Sequence, residues 1–294
     1  MTVIKEATFS EERALYHLRD ACIKNCRFEG EEDGESAMKE GANLRVEECY
    51  FDLRYPLWHV KNAVITQSVT TENCRAALWY DKNVSLINCT MNGIKALREC
   101  WNITINNTNA TSPEFGWKCQ NVKISGGYIQ SEYAFLLSEN LKVYGLEFKG
   151  KYSFQYVKNA KFVRCTFDTK DAFWHTKNVV VTDSVIKGEY LGWYSENLTL
   201  IRCKIIGTQP LCYCKGLKLI DCETENCDLS FEYSKVKATI NGEIVSVKNP
   251  ESGKITADKI GEIILKDSVR KNRAKILIRT AAKKTKKTAQ KDKI

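Results

Sequence analysis

One asparagine recurs at nearly constant spacing through the middle of the 294-residue chain. From Asn83 onward the interval is 19 residues at every step, and the two preceding steps are 21 and 19 residues. The series consists of Asn43, Asn62, Asn83, Asn102, Asn121, Asn140, Asn159, Asn178 and Asn197. Asp20 fits as an earlier member, while Gly216 and Lys235 occupy the next two places. A fixed period of this kind predicts a solenoid, in which each coil buries its apolar side against its neighbours.

The residues that follow each asparagine predict short strands. With the asparagine as position 0, positions 1 and 3 are apolar in nearly every coil, as at Leu198 and Leu200. Position 6 is cysteine in six coils, at Cys26, Cys49, Cys89, Cys165, Cys203 and Cys222. Alternation places one set of side chains on the inner face. Because asparagine tolerates the left-handed αL conformation and its amide can bond its counterpart one coil away, position 0 is predicted to form a ladder at a corner.

Two repeat architectures compete. The segment 198–205 matches half of a leucine-rich repeat, but a period of 19 is below the usual range for that class, and the rest of the coil has the pattern of a strand rather than a helix. The sequence therefore favours an all-β, right-handed parallel β-helix with coils of about 19 residues, as a single domain over residues 1–268.

Both ends of the stack are predicted to be capped. Residues 1–19 form the N-terminal cap, because Ser10 followed by two glutamates is typical of an N-capped short helix. Residues 20–234 form the coils. Residues 235–268 form the C-terminal cap, because Asn241–Gly242 between alternating residues predicts a hairpin with a type I′ turn.

The positive charge of the chain lies in its last segment. Residues 269–294 contain eleven Lys or Arg and one Asp, so their net charge of +10 exceeds the +9 of the whole chain and the body carries −1. Such a low-complexity segment is predicted to be a disordered, solvated tail. Contact of this tail with nucleic acid or an anionic surface is the alternative.

The cysteines and the N-terminal segment predict a cytoplasmic protein. The chain contains no stretch of 18 or more apolar residues, so no segment is expected to span a membrane. The first residues lack the apolar region of a secretory signal. The thirteen cysteines are then expected to be reduced. No CxxC pair occurs, and Cys212 and Cys214 alone are too weak a pattern for a metal site, so neither a metal nor a cofactor is predicted.

Positions 12–17 predict a second strand with an exposed aromatic wall. Ionisable residues are concentrated at positions 12, 14 and 16, so positions 13, 15 and 17 should face inward, because burying an unpaired charge is costly. This choice buries the tryptophans at position 15, which are Trp58, Trp79, Trp117, Trp174 and Trp193. It exposes position 14, which is Leu57, Leu78, Leu97, Gly116, Phe135, Phe154, Phe173, Gly192 and Leu211. The reverse choice would expose the tryptophans instead.

Position 16 supplies the candidate functional residues. They are Glu40, His59, Tyr80, Glu99, Lys118, Tyr156, His175, Tyr194, Tyr213 and Glu232. An exposed wall of this kind marks an interaction surface, either a homodimer interface or a strip that binds a saccharide by aromatic stacking. Glu99, Lys118, His59 and His175 are the working residues of the alternative, a polysaccharide lyase or glycoside hydrolase. No catalytic residue is assigned.

Several segments resemble a known bacterial family. They are Glu12-Arg-Ala-Leu-Tyr, Gly34-Glu-Ser-Ala-Met-Lys-Glu, Tyr55-Pro-Leu-Trp-His, Lys170-Asp-Ala-Phe-Trp, Gly188-Glu-Tyr-Leu-Gly-Trp, Ser230-Phe-Glu-Tyr-Ser and Asn249-Pro-Glu-Ser-Gly. Over about residues 3–268 the chain is similar to domain-of-unknown-function family 3737, of the pectin-lyase-like β-helix superfamily. The resemblance implies the β-helix fold and carries no established activity, so it transfers no catalytic residue.

The strings that hydrolases of that superfamily use, Asn-Thr-Asp, Asp-Asp and Gly-His-Gly, are absent. Position 5 aligns Arg164, Asp183, Arg202 and Asp221 with alternating sign, and position 18 aligns Lys177, Glu196 and Lys215 in the same way. Alternating charges on successive coils predict surface ion-pair ladders rather than a metal cluster. The sequence thus favours a non-catalytic binding or scaffold protein that self-associates through its aromatic side.

Overall fold

The computed structural model describes residues 1–31 and 34–279. These residues form an all-β parallel β-solenoid of about 14 turns, with coils of about 19 residues. No helix occurs in either described range, and in particular none that is long and apolar enough to span a membrane. Every strand pairs in parallel with the equivalent strand of a neighbouring coil, as Leu141 does with Ala160 and Ala160 with Val179. Like side chains therefore lie above one another along the axis.

The first face of the solenoid contains the strands around positions 0–4. Their bounds are Thr2–Lys5, Arg19–Lys24, Ala42–Glu47, Lys61–Thr66, Lys82–Ile87, Trp101–Asn106, Gln120–Ser125, Glu139–Tyr144, Lys158–Val163, Lys177–Thr182, Glu196–Ile201, Leu217–Glu225, Lys235–Asn241, Ser252–Ala257 and Lys275–Ile278. Positions 1 and 3 of these strands point into the core, as predicted; Leu198 and Leu200 are buried.

Two further faces close each coil. The second contains Thr8–Phe9, Arg27–Phe28, Tyr50–Phe51, Val69–Thr70, Thr90–Asn92, Asn109–Thr111, Tyr128–Ser131, Glu147–Lys151, Thr166–Lys170, Val185–Lys187 and Lys204–Ile206. The third contains the short strands Leu57–Trp58, Leu78–Trp79, Leu97–Arg98, Glu114–Trp117 and Tyr133–Ala134, and near the C-terminus Glu243–Lys248 and Lys259–Ile264. The third face is the one that positions the candidate site.

The predicted asparagine ladder is confirmed. Every asparagine of the series has a positive φ, between 55° and 59°, so each occupies the αL region at a corner of the coil. Side-chain amides bond from coil to coil; Asn62 Nδ2 donates to Asn43 Oδ1 at 3.0 Å and Asn121 Nδ2 to Asn102 Oδ1 at 2.9 Å. Asp20 accepts the first of these bonds from Asn43 at 2.9 Å, which confirms its place at the start of the series.

The cysteines act as small apolar side chains. All six cysteines of position 6 are buried, and all thirteen in the chain are free thiols. Their Sγ atoms lie against backbone carbonyls, as Cys203 Sγ lies 3.4 Å from Val181 O. Burial raises the pKa of the Cys49 thiol to about 12, despite backbone hydrogen bonds that act in the opposite direction. The position-6 column is therefore part of the core.

The predicted N-terminal helix is wrong. Residues 11–17 form turns, and Thr2–Lys5 pairs with residues 21–24 as a further coil. Arg13 and His17 have φ values of 56° and 58°, which a right-handed helix excludes. Their backbone N–H groups instead donate to Glu35 and Lys39 of the next coil, at 3.0 and 2.9 Å. Bonding between coils takes the place of bonding within a helix.

The predicted C-terminal hairpin is also wrong. Gly242 does turn the chain, with a φ of 90°, but the flanking strands do not pair with each other. Lys235–Asn241 pairs with Ser252–Ala257, and Glu243–Lys248 pairs with Lys259–Ile264, all in parallel. The segment therefore continues the solenoid, and its Asn-Gly turn is a corner of a coil.

The predicted tail begins too early. Lys275–Ile278 pairs in parallel with residues 254–257, and Ile276 packs against the core, so the ordered body includes part of the segment 269–294. The remainder of that segment, from residue 280, lies outside the described residues.

The predicted inward set at positions 12–17 is only partly right. Ala172 at position 13 is buried as predicted, but Phe173 at position 14 is also fully buried, whereas Trp174 at position 15 is only half-buried. The proposed exposed wall of leucines and phenylalanines at position 14 is therefore wrong. Asp171 and Phe173 have φ values of 53° and 59°, so this stretch is not a pleated strand. The alternation rule requires β-region backbone and fails where αL residues intervene.

Candidate functional site

One surface of the third face holds two parallel columns of large side chains, which we call the aromatic face. Its first column, at position 16, is His17, Glu40, His59, Tyr80, Glu99, Lys118, Leu137, Tyr156, His175, Tyr194, Tyr213 and Tyr233. Its second column, at position 15, is Tyr16, Lys39, Trp58, Trp79, Arg98, Trp117, Leu136, Gln155, Trp174, Trp193, Cys212 and Glu232. All three histidines of the chain lie in the first column.

The backbone has the same conformation and the same hydrogen bond at every residue of the first column. All twelve residues have φ between 51° and 61° and lie in the αL region. Each backbone N–H donates to the carbonyl of the preceding position in the next coil; His59 bonds Trp79 at 2.9 Å and Tyr156 bonds Trp174 at 2.9 Å. The side chains that emerge from this corner are exposed or half-buried. A regular backbone thus presents an irregular set of side chains to solvent.

Nine of the ten residues predicted for this site lie in the first column. Glu232 does not, because the coil before it contains one extra residue. Tyr213 N–H donates to Glu232 O at 2.7 Å, which places Glu232 in the position-15 column, where its carboxylate bonds Lys248 Nζ at 3.0 Å. Tyr233 occupies the first column instead, with its ring centroid 5.8 Å from that of Tyr213.

Sequence reasoning also missed other members of the aromatic face. The predicted helical cap over residues 1–19 excludes His17 from the repeat. Leu137 carries no polar group that would mark it as functional, although its position in the repeat is regular. The alternation rule places the position-15 tryptophans in the core, whereas the αL conformations at positions 12 and 14 place position 14 there instead.

A polar cluster occupies the N-terminal half of the aromatic face. The His59 ring stacks on Tyr80, with centroids 5.0 Å apart and an interplanar angle of 17°. Burial lowers the pKa of His59, and Glu40 opposes this effect, so the imidazole is neutral at pH 7. The hydrogen bond from Tyr80 to Glu99 raises the pKa of the tyrosine. The cluster therefore presents a neutral imidazole beside a bonded phenol.

Glu99 is the most highly bonded member of this cluster. Arg98 Nε donates to Glu99 Oε1 at 3.2 Å and Trp79 Nε1 to Oε2 at 3.4 Å, while Lys118 Nζ lies 3.9 Å from Oε1. Burial raises the pKa of this carboxyl, but the hydrogen bonds from Tyr80, Trp79 and Arg98 outweigh it and hold the pKa below its ordinary value. Glu99 is therefore ionised and paired.

Stacked rings occupy the C-terminal half. Centroids of Tyr156 and His175 lie 4.8 Å apart, those of His175 and Tyr194 5.0 Å, and those of Tyr194 and Tyr213 4.7 Å. The interplanar angles are 7°, 7° and 12°. Both faces of each inner ring are covered by its neighbours, so the rings present their edges, with hydroxyl and imidazole groups, to solvent.

The second column is stacked in the same way. Trp58 and Trp79 have centroids 5.4 Å apart and Trp174 and Trp193 5.3 Å, with interplanar angles of 9° and 3°. Lys39 Nζ lies 4.0 Å above the Trp58 ring, a cation–π contact that continues this stack toward the N-terminus. The indole N–H groups of Trp117, Trp174 and Trp193 each donate to a backbone carbonyl of the next coil at 2.6–2.7 Å.

An open cleft of about 290 Å³ lies at the N-terminal end of the aromatic face. It is lined by His17, Arg19, Glu40, Gly41, Ala42, His59 and Lys61. Tyr16 OH donates to Glu40 Oε2 at 2.9 Å and Arg19 Nε to His17 Nε2 at 3.2 Å, so part of its polar lining is already bonded. Within residues 1–31 and 34–279, no three His, Cys, Asp or Glu side chains converge as metal ligands.

The profile of one protein family, described as "Protein of unknown function (DUF3737)", matches residues 2–278. The chain belongs to this family. Curated proteins include no match to the sequence.

Three solved structures are distantly similar to this DUF3737 chain. PfbA, a surface adhesin of Streptococcus pneumoniae, is 11% identical, with a TM-score of 0.37 and 72% of each chain covered. Tailspike protein 3 of bacteriophage CBA120 is 8% identical, with a TM-score of 0.31, 94% of this chain and 56% of that chain covered. HetL, a pentapeptide repeat protein of Nostoc, is 9% identical, with a TM-score of 0.26, 76% of this chain and 92% of that chain covered. These values are too low to transfer a function.

The charges that alternate at positions 5 and 18 of the DUF3737 chain form ion pairs between coils. Arg202 Nε bonds Asp183 Oδ1 at 2.6 Å, and Glu196 lies between Lys177 and Lys215, at 3.1 and 3.7 Å. The hydrogen bond from Arg202 lowers the pKa of Asp183, against the effect of burial. The position-18 ladder is confirmed. At position 5, Arg202 pairs with Asp183 but Arg164 Nη1 donates to Tyr144 Oη at 2.8 Å instead. Exposed ion pairs of this kind contribute little to stability individually.

Proposed function

We propose that this DUF3737 protein is a non-catalytic scaffold protein that self-associates through its aromatic face. The observation that carries the proposal is the unbroken column of αL residues at position 16, in which none of the twelve is glycine or asparagine. Residues with a large Cβ substituent lose roughly 1–2 kcal/mol in this conformation. Asparagine or glycine would fit the same backbone at lower cost, as both do at position 0.

The side chains at position 16 have no partner in the core that would account for this cost. Phe154, at position 14, is also an αL residue, but its ring is fully buried among other phenylalanines. Tyr156 and Tyr194 are each 43% exposed and point outward. Stacking between neighbouring rings offsets part of the cost. Backbone strain combined with outward-facing aromatic groups supports a contact outside the chain.

The side chains of the aromatic face are of the types that commonly contact another protein. Tyr and Trp are enriched at protein interfaces, where one end of the side chain is apolar and the other forms hydrogen bonds. A sugar ring would need a free aromatic face on which to stack, and both faces of His175 and Tyr194 are covered by neighbouring rings. Saccharide binding through stacking is therefore less well supported than protein contact.

Catalysis by carboxylates of this face has less support still. Glu40 and Glu99 lie three coils apart, or about 14 Å at the spacing of parallel strands. Glycosidases require their two carboxyl groups about 5–10 Å apart. Glu99 is also held ionised by three donors, which does not suit a general acid.

We infer the right-handed sense of coiling and membership of the pectin-lyase-like superfamily as parts of the same proposal. Crossover connections between parallel strands are right-handed in about 98% of cases, which supports the handedness. A cytoplasmic, reducing location is supported by thirteen free thiols in the described part of the chain.

Replacing Leu137 with glutamate tests self-association. Leu137 is 48% exposed at the middle of the first column, so glutamate does not disturb the core. Two copies packed through this face would each bury the new carboxylate, and the dissociation constant should rise about tenfold or more, equivalent to about 1.4 kcal/mol. Sedimentation equilibrium of the full chain measures the change.

The matched control is Val185→Glu. Val185 is 36% exposed on the second face of the solenoid, away from the aromatic face. This variant should associate like the wild type. A wild-type chain that sediments as a monomer at micromolar concentration, or equal weakening by both variants, would contradict the proposal.

A further inference from the structure

We propose that the self-association inferred above produces a two-fold symmetric antiparallel dimer with its axis at the Leu136–Leu137 turn. The inference rests on the proposed function and adds its geometry: the occupant of the aromatic face is a second copy, in one register. Coils are spaced evenly, about 4.8 Å apart, so residues an equal number of coils from the axis lie at the same height in the two copies.

The leucine pair lies at the centre of the molecule. Leu137 is the seventh of twelve residues in the first column, in a solenoid of about 14 turns. It is the aliphatic member of that column, between Lys118 and Tyr156, and Leu136 lies beside it in the second column. An axis at this turn brings four leucines together and overlaps two solenoids along their full length. Interfaces commonly have such an apolar centre with charged groups toward the rim.

The first column is complementary to itself about this axis. Residues equally far from Leu137 on either side lie opposite each other in an isologous interface. Glu99 of one copy then lies opposite the imidazole of His175 in the other, where a ring N–H can donate to the carboxylate. Lys118 lies opposite Tyr156, a cation beside an aromatic ring.

The second column is complementary about the same axis. Lys39 and Glu232, each five coils from Leu136, lie opposite one another with opposite charges. Arg98 lies opposite Trp174, where a guanidinium can stack on the indole. The charged and aromatic residues of both columns therefore favour the same register.

Three other arrangements bring unfavourable groups together. A parallel dimer whose two-fold axis runs along the first column places each residue of that column opposite its own copy, so that Glu99 faces Glu99 and Lys118 faces Lys118. Moving the axis by half a coil places Leu137 against the Lys118 ammonium in one direction, and Lys118 against His175 in the other. Apposed like charges and a desolvated ammonium are both costly.

The aromatic face is large enough for a stable dimer. Eleven intervals of about 4.8 Å give a column about 53 Å long. A standard interface buries about 800 Å² per partner, which requires a strip about 15 Å wide. Two adjacent columns of aromatic side chains, with ring centroids of neighbours such as Trp79 and Tyr80 5.2 Å apart, supply most of that width.

Cysteine cross-linking determines the register. In a Cys22→Ser background, which removes the one thiol that is not fully buried, Leu137→Cys should form a covalent dimer under mild oxidation, because its two copies meet at the axis. Tyr80→Cys and Tyr194→Cys, each three coils from Leu137, should not cross-link alone. An equimolar mixture of these two variants should cross-link, with a short bis-maleimide as the reagent.

The outcomes separate the register from the proposed function. Cross-linking of Leu137→Cys together with the mixed pair supports the antiparallel dimer. A dimer by sedimentation in which Tyr80→Cys links to itself indicates parallel packing and overturns the register alone. A dimer in which none of these thiols link overturns both the register and this surface. A monomer overturns the proposed function as well.

Discussion

A buried carboxyl group at Asp81 shows how one residue can depart from the repeat. Position 17 is Ser, Thr or Cys in most coils, and Ser138 illustrates the role: its Oγ accepts from Cys119 N–H at 3.0 Å and donates to Gly116 O at 2.6 Å. Asp81 Oδ1 accepts in the same way from Val60 N–H at 2.7 Å. Its Oδ2 is buried without a hydrogen-bond partner in the described part of the chain. Burial, reinforced by the nearby Cys100 thiol, raises the pKa of Asp81 well above its ordinary value.

We predict that Asp81→Asn makes stability less dependent on pH. The folded state holds this proton more tightly than the unfolded state, so stability falls as pH rises from the ordinary Asp pKa toward the raised one. One such group contributes a slope of about 1.4 kcal/mol per pH unit over that window. Asparagine keeps the acceptor for Val60 and does not ionise. Urea unfolding of both proteins between pH 4 and about 8 measures the difference.

The advantage of Asp81→Asn should be smallest near pH 4 and increase toward pH 8. Asp183→Asn serves as the control, because the lowered pKa of this exposed carboxyl affects the pH dependence of stability only below the ordinary Asp pKa, so its difference from the wild type should stay nearly constant from pH 5 to about 8. A constant difference between wild type and Asp81→Asn across this range would show that Asp81 is not protonated in the folded state.

At the scale of one structural element, the corner at position 0 combines two contributions. Asn121 adopts αL at a φ of 57°, and its Nδ2 donates to Asn102 Oδ1 while its Oδ1 accepts from Asn140 Nδ2 at 3.0 Å. Gly216 occupies the equivalent corner with a φ of 68° and no side chain. The corner therefore forms without the asparagine side-chain amide where glycine adopts the αL conformation.

We predict that Asn121→Ala destabilises the protein more than Asn121→Gly. Both variants lose the two side-chain hydrogen bonds, each worth about 0.5–1.5 kcal/mol. Alanine additionally retains a Cβ in αL, which costs about 1 kcal/mol more. Chemical denaturation of the two variants and the wild type separates the terms, because the glycine variant reports the hydrogen bonds and the alanine–glycine difference reports the strain. Equal stability of the two variants would mean that the corner relaxes away from αL.

At the scale of the whole molecule, the ends of the stack are its weakest points. Each coil contacts only its neighbours, so an end coil has one partner instead of two. The strand Lys275–Ile278 covers the edge of Ser252–Ala257, and Arg279 Nε bonds Asp258 Oδ1 at 2.7 Å. The last described strand thus protects an otherwise open sheet edge, which is a site for aggregation.

We predict that a chain ending at residue 268 melts at a lower temperature than one ending at Arg279. The shorter chain loses the covering strand, the packing of Ile276 on the core and the Arg279–Asp258 ion pair. Calorimetry and light scattering of the two truncated chains should show earlier melting and greater aggregation for the shorter one. Identical melting curves would indicate that the covering strand contributes nothing to stability.

The periodic features of this protein follow from the sequence alone. The interval between asparagines predicted the parallel stack, the ladder from Asn43 to Asn197, the buried cysteines and the ion-pair ladder at position 18. Nine of the ten candidate residues lie in one exposed column for the same reason. A repeat in a solenoid converts spacing along the chain directly into position on the surface, so counting residues is sufficient.

Only the tertiary structure decided which side chains at positions 14 and 15 face inward, and how the chain ends. Local patterns had predicted a pleated strand at 12–17, a helix near Ser10 and a hairpin at Gly242. In each case the backbone bonds to the adjacent coil and adopts αL or turn conformations that local propensity does not encode. The position of Tyr233, rather than Glu232, in the first column has the same origin. Hydrogen bonds between coils, rather than sequence spacing, set the register of that coil.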